Sequence, residues 1–366
     1  VPELLTPDLI ALRDRALKLA DESLARLRDD DSLQPSQRAS AARDASRAAG
    51  VYGLTQSEDT PALALLVMRE ALASRGVSHL PGLFGPGPGL LANVAEPLRS
   101  SHLLPMLAGL RQGGFAFTEP RDAPRPTWAR ADGAELVITG QKSYVTGGAD
   151  AHFVTALVEV EGEGPSMVII DTDRPGVTLT RRFDSLDGSH HAAFRFDEVR
   201  VPRHHAIGGP GEGRSQALRK ISGVRRMVAA ECVGTIAWVL DVVAADLRRP
   251  RRSGDKAGFE RVRLRFGDMR IAGYAARSMV YRTARLADSG ADAVNETIAA
   301  KVFASETANQ VVDAAIQLVG GEALVSGHPL ERAMRRLRGW RLAEGESDTL
   351  RVNLSRGFLD LGKGRL

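Results

Sequence analysis

The chain has one cysteine, Cys232, in 366 residues. A single thiol cannot close an internal disulfide, and Cys232 lies in an apolar helical pattern, so it reads as a core residue and gives no support to a metal or thiol site. Aromatics are scarce at 5%. A nucleic-acid surface wants basic residues interleaved with exposed aromatics, and that scarcity argues against one. No uninterrupted run of about 18 apolar residues stands out as a membrane span. Arg13, Asp14, Arg15, Lys18 and Asp21 put charge throughout the first stretch, unlike a signal peptide. The expectation is a soluble, cytoplasmic protein. Also missing is a strand-turn-helix phosphate loop of the Rossmann or P-loop kind, which makes a nicotinamide fold improbable. A phosphate-bearing cofactor must then be held by other means.

What is present is ordinary for a globular protein: 43% hydrophobic and 26% charged residues, with length enough for two or three domains. Lys and Arg number 49 against 45 Asp and Glu, a formal charge of +4, and most of the cations are arginine. Arginine grips phosphate or carboxylate with two donors at once. The dense runs are Arg248 to Arg252 and Arg332, Arg335, Arg336 and Arg338. They suit a polyanionic cofactor or substrate, or a solvated helical face.

The texture of the chain changes twice. From Thr6 to about Leu110, Leu9, Leu12, Leu17, Leu24 and Leu27 mark an amphipathic helical face, and Pro/Gly clusters near Gly85 mark loops. Between Gly113 and about Pro210, short branched or aromatic runs (136–139, 153–160, 167–170, 177–179 and 194–201) predict strands of an antiparallel barrel or sandwich. Long helical periods follow at 215–247, 259–287 and 293–319. The fold class expected is therefore α+β multidomain: a helical domain over 1–112, a middle β domain over 113–212 and a C-terminal helical bundle over 213–366.

Within the bundle, Trp340 to Asp348 places a carboxylate, Glu344, between an apolar approach and Gly345. Ser347 and Asp348 read as helix-start residues before a helix-compatible run from Thr349 to Leu361. Glycine lets backbone approach a ligand closely, and Leu342-Ala343 can keep water away. A carboxylate so placed can act as a base on a weak carbon acid. A surface glutamate in a loop is the plainer alternative.

Several segments, in this order, resemble the acyl-CoA dehydrogenase family: Phe115 to Pro120, Gly140 to Asp150, Phe196 to Pro202, Arg225 with Val228 to Ala230, Gln317 to Gly321, and Glu344-Gly345. The resemblance runs from about Gly113 to the C-terminus and implies FAD as cofactor, an acyl-thioester substrate and a helical, β, helical-bundle fold. It implies that Phe117, Thr118, Tyr144, Val145 and Thr146 line the flavin, with Tyr144 able to cover one face. It implies that Gln317, Gly320 and Gly321 reach the FAD of a neighbouring subunit; the glycines also suit a helix C-cap. Arg249 stands where an arginine binds the adenylate half. Glu344 matches the base that removes the α-proton while the β-hydrogen leaves as hydride. Arg225, Ser222 and Gly345 fall on the substrate side, and Arg225 could equally be a helix-surface ion-pair residue. No metal is implied.

Departures from the family pattern are specific. Arg121 to Pro126 replaces the usual G-S-D after Thr118-Glu119-Pro120, and Arg249-Pro250-Arg251-Arg252-Ser253 keeps only the first arginine of R-x-Q-F-G. Glu346 replaces a threonine near the expected flavin phosphate, an unfavourable charge unless an arginine compensates. Ala343 replaces a tyrosine, which suggests room for a branched, cyclic or bulky acyl group. The functional expectation is FAD-dependent α,β-desaturation of an acyl thioester carried on coenzyme A or a carrier protein, with electrons passed to an acceptor. The alternatives are a flavin monooxygenase on the same fold and a non-catalytic partner subunit. Homo-oligomer and heterotetramer with a paralogous chain both fit.

Overall fold

The computed structural model describes residues 4–30, 32–249 and 259–362. Helix α1 (Pro7–Leu19) opens on Thr6, whose hydroxyl accepts from the Leu9 N–H, with proline at the first turn where no donor is lost. A π-helical turn, Ala20–Leu24, leads into α2 (Ala25–Asp29). It keeps Leu12, Leu19 and Leu24 buried along the stretch. Helices α3 (Pro35–Ala48), α4 (Ala62–Ala73) and the short α5 (Leu104–Leu107) follow.

Among the described residues, eight strands make one sheet: β1 (Gly113–Ala116), β2 (Trp128–Asp132), β3 (Glu135–Thr146), β4 (Phe153–Val160), β5 (Gly164–Asp171), β6 (Val177–Asp184), β7 (His190–Pro202) and β8 (Ala206–Ile207). The order is β6-β7-β3-β2-β4-β5-β8, with β1 on β4. Most pairs are antiparallel as expected, but β1 and β2 both pair β4 in parallel, so the sheet is mixed. Neither short strand stood out in sequence: β1 begins Gly-Gly, and β2 carries Arg130 and Asp132 on its exposed side. The last five helices are α6 (Gly213–Leu247), α7 (Glu260–Asp288), α8 (Val294–Val319), α9 (Pro329–Trp340) and α10 (Ser347–Leu359).

The chain divides into two compact units, one of Val1–Gly85 with Ser222–Leu366 and the other Pro86–Ile221. In the first, Leu66 and Val67 of α4 join Val233, Ile236, Met269, Tyr281, Val311 and Ile316 in one core. Each such large side chain stabilises by about 1.5–3 kcal/mol on burial. Asp288, at the end of α7, caps α4 by accepting from the Ala62 and Leu63 N–H groups at 2.6 and 3.0 Å. At Gly234 a Cβ would lie 2.5 Å from the Glu70 carbonyl, so glycine lets α6 close on α4. Helix α6 is apolar enough over one stretch to pass for a membrane span, a feature not seen in the sequence, yet 61% of that stretch is buried inside the protein.

In the second unit the strands alternate between two cores. Val154, Ala156 and Val158 of β4 meet Ile138, Phe194 and Phe196, while Phe153 meets Met167, Ile169 and Leu98 on the other side. Asp171 ends β5 and accepts from His102 at 2.9 Å and Arg111 at 2.7 Å, tying the sheet to the segment before β1.

Candidate active site

The second unit carries the residues matched to the flavin ring. A bulge in β3 between Lys142 and Val145 breaks its register with β7 and turns Tyr144 out to 64% exposure at φ +55°. Tyr144 packs edge-on against Phe183, centroids 5.3 Å apart, and Phe183 stacks on His191. Exposed Thr146 brings its hydroxyl 3.3 Å from His191 Nδ1. The Ser143 N–H donates to the Thr118 carbonyl at 2.8 Å, so the bulge and the segment Phe117-Thr118 are joined directly. Phe117 stacks on Phe115 at 5.8 Å.

Val145 is different: its side chain is fully buried in the sheet core, leaving only its backbone for a ligand. Glu119, within the same matched segment, is structural. It accepts from the buried Lys142 ammonium and from the Thr127 N–H, both at 2.7 Å. Burial opposes ionisation of Glu119, but Lys142 and Thr127 outweigh it and hold the carboxyl below its ordinary value. Among the departures, Arg125 lies over the Trp128 ring at 4.1 Å.

The first unit carries Glu344. It follows α9 in a turn where Glu344 itself takes φ +56° and Gly345 φ +108°. A non-glycine residue in that region is strained by about 1–3 kcal/mol and persists only where surroundings hold it. Two buried cations do so: Arg225 Nε donates to the Glu344 carbonyl and Lys301 Nζ to the Gly345 carbonyl, each at 2.8 Å. A Cβ at Gly345 would sit 2.8 Å from Leu350 and 3.2 Å from Arg225, so glycine is required there. Burial lowers Arg225 while Glu344 supports its charge. Ser222 lies one turn before Arg225 on the same face of α6, half-buried.

One reading of this turn needs correction. Leu342 is 56% exposed and Ala343 is exposed as well, so they do not shield Glu344 within this chain. Helix α10 does start at Ser347 and Asp348, and its cap is the preceding Glu346, whose carboxylate accepts from the Asp348 and Thr349 N–H groups at 2.8 Å each. Those donors hold Glu346 below the ordinary carboxylate value. Lys301 was missed altogether. Its signal was a lysine inside the apolar run Ile298 to Ala304, where a charged side chain has no business unless it is paired.

Gln317 is exposed on the last turn of α8, and Gly320 caps that helix at φ +98°. Nothing lies within 4 Å of a Cβ built at Gly320 or Gly321, so their backbone is open to approach. Arg249 is exposed just after α6, and Pro250 to Ser253 lie outside the described residues. Cys232 is fully buried on α6, and burial pushes its thiol up. Among the described residues no group of three or more His, Cys, Asp or Glu could hold a metal ion.

Comparison with known proteins matches residues 114–199 to the acyl-CoA dehydrogenase middle domain and residues 211–359 to the acyl-CoA dehydrogenase C-terminal domain. A probable acyl-CoA dehydrogenase of Bacillus subtilis, YngJ, is 31% identical over 310 residues, which cover 81% of this chain and 82% of that one. The chain belongs to the acyl-CoA dehydrogenase family. Its relatives are named acyl-CoA dehydrogenases, which are oxidoreductases acting on CH–CH groups. The human mitochondrial short-chain specific acyl-CoA dehydrogenase is 28% identical over 69% of this chain and 64% of its own length. The fold agrees: a glutaryl-CoA dehydrogenase of Mycobacterium smegmatis superposes with TM-score 0.83 at 20% identity, covering 100% of this chain and 98% of that one. PigA, solved with FAD and proline, gives TM-score 0.82 at 20% identity, covering 98% of both chains.

Proposed function

We propose that this member of the acyl-CoA dehydrogenase family catalyses FAD-dependent α,β-desaturation of an acyl thioester, with Glu344 as the base. The observation that carries the reading is the backbone of Glu344, held in a strained conformation by buried cations from two helices. A surface glutamate in a loop has no need of such an arrangement. Glu344 takes the α-proton, and Arg225 fixes the direction from which its carboxylate is presented.

The residues present fit FAD: an exposed aromatic face at Tyr144, threonines at Thr118 and Thr146, and an open glycine pair at Gly320-Gly321. Bound FAD would supply the acceptor for the β-hydrogen. Phe117, Thr118, Tyr144, Thr146 and the backbone of Val145 would hold its ring. Gln317, Gly320, Gly321 and Arg249 would meet the FAD of a second subunit in an oligomer.

The same proposal takes 1–112, 113–212 and 213–366 as the functional domains, a cytoplasmic setting, coenzyme A or a carrier protein as thioester carrier, and an external electron acceptor. Ala343 in place of a bulkier residue supports a branched, cyclic or otherwise large acyl group. The visible spectrum of the purified protein, followed by anaerobic addition of a panel of acyl-CoA thioesters, tests it. Bleaching by bulky thioesters supports the reading. A flavin reduced only by an external reductant favours a monooxygenase, and a colourless protein favours a partner subunit. A preference for short straight chains removes the argument from Ala343.

A further inference from the structure

We propose that Lys301 is a positioning residue for the reaction: by gripping the Gly345 carbonyl it fixes the turn that presents Glu344. The proposal rests on the reading of Glu344 as base. Lys301 stands in the middle of α8 with 0% of its surface exposed, where the neighbouring positions are alanine, valine and isoleucine. An ammonium there forfeits its hydration, a cost that an apolar side chain would avoid. Its ammonium donates to the carbonyl of Gly345, the residue after the base, at 2.8 Å. Arg225 takes the adjacent carbonyl from α6, so one turn is held at two consecutive peptide groups by two helices.

The charged and titratable groups that face Lys301 are Arg225 and Cys232 on α6, Glu306 on its own helix, and Glu344 in the turn; Glu346 feels its charge as well. Burial is the largest influence and, with Arg225, brings Lys301 down to about 8 against the support of Glu344 and Glu306. A neutral amine is a weaker donor than an ammonium. The grip on Gly345 therefore slackens in mild alkali, and turnover should fall with it.

The test compares wild type with Lys301→Met and Lys301→Gln, measuring bound flavin, kcat and KM across pH, and amide hydrogen exchange over residues 341–347. Wild-type kcat should decline above pH 8. Lys301→Met should bind flavin normally, lose about ten- to a hundredfold in kcat with KM little changed, lack that alkaline decline, and exchange faster in the turn. Lys301→Gln keeps a donor that does not titrate, so it should recover part of kcat without the pH dependence. If Lys301→Met fails to fold, Lys301→Gln decides. An unchanged alkaline decline in Lys301→Gln, or unchanged kcat and exchange in Lys301→Met, would overturn the proposal. Full activity in Glu344→Gln would instead remove the base assignment, while faster exchange in Lys301→Met would still show that the lysine holds the turn.

Discussion

Arg225 Nε donates to the carbonyl oxygen of Glu344 at 2.8 Å, joining α6 to a turn 119 residues further along the chain. The guanidinium is nearly buried and the residue it holds has φ +56°. Such a contact relates the placement of the carboxylate to a rigid helix. Arg225→Met should lower kcat by about a hundredfold, since an error of about 1 Å in a catalytic group costs that much. Arg225→Lys should recover only part of the loss, because a lysine cannot reproduce the planar fork. Steady-state kinetics on flavin-loaded protein decides, and equal activity of all three proteins would sink this role.

Glu119 belongs to a segment matched to the cofactor, yet its carboxylate is spent on Lys142, whose side chain is 1% exposed. Glu119→Gln should therefore destabilise the protein by about 3 kcal/mol by leaving a buried ammonium without its counter-charge. Chemical denaturation measures it. A variant of native stability but poor flavin affinity would show a cofactor role instead.

Asp171 supplies a pH dependence. Burial opposes its ionisation, but His102 and Arg111 outweigh burial and hold the carboxyl far below its ordinary value. A carboxyl depressed on folding contributes stability that is fully present above its unfolded value near 4, and is lost as pH falls through the folded value. Unfolding in acid should thus begin below about pH 5. Asp171→Asn should flatten that dependence and cost roughly 2 kcal/mol at neutral pH. Identical acid profiles for the two proteins would refute the assignment.

Glu346 caps α10 with both carboxylate oxygens. Glu346→Ala should lower the stability of α10, and Glu346→Thr should lower it less, as a hydroxyl also caps well. Thermal unfolding reads the difference. A gain in stability from Glu346→Ala would mean that the carboxylate is a net burden.

Much of this was legible in sequence because the motifs are local. Helices α7 and α8 match their apolar periods to within about a residue at each end, and β4 spans Phe153–Val160 as its branched residues require. Tyr144 and Glu344 drew notice for their neighbours, and both take positive φ. What escaped depends on distant pairing. The parallel contacts of β1 and β2 with β4 leave no periodic trace in strands of four and five residues. The cap at Glu346 and the grip of Lys301 on Gly345 are set by where one side chain ends, which residue type and spacing do not record.

The most direct test of the central claim is the rate of anaerobic flavin reduction by a reactive acyl-CoA in wild type and in Glu344→Gln, with bound flavin equalised between them. The account predicts a fall of about a thousandfold in the variant, in keeping with the loss of a general base, with thioester affinity retained. Reduction of Glu344→Gln at the wild-type rate would contradict it.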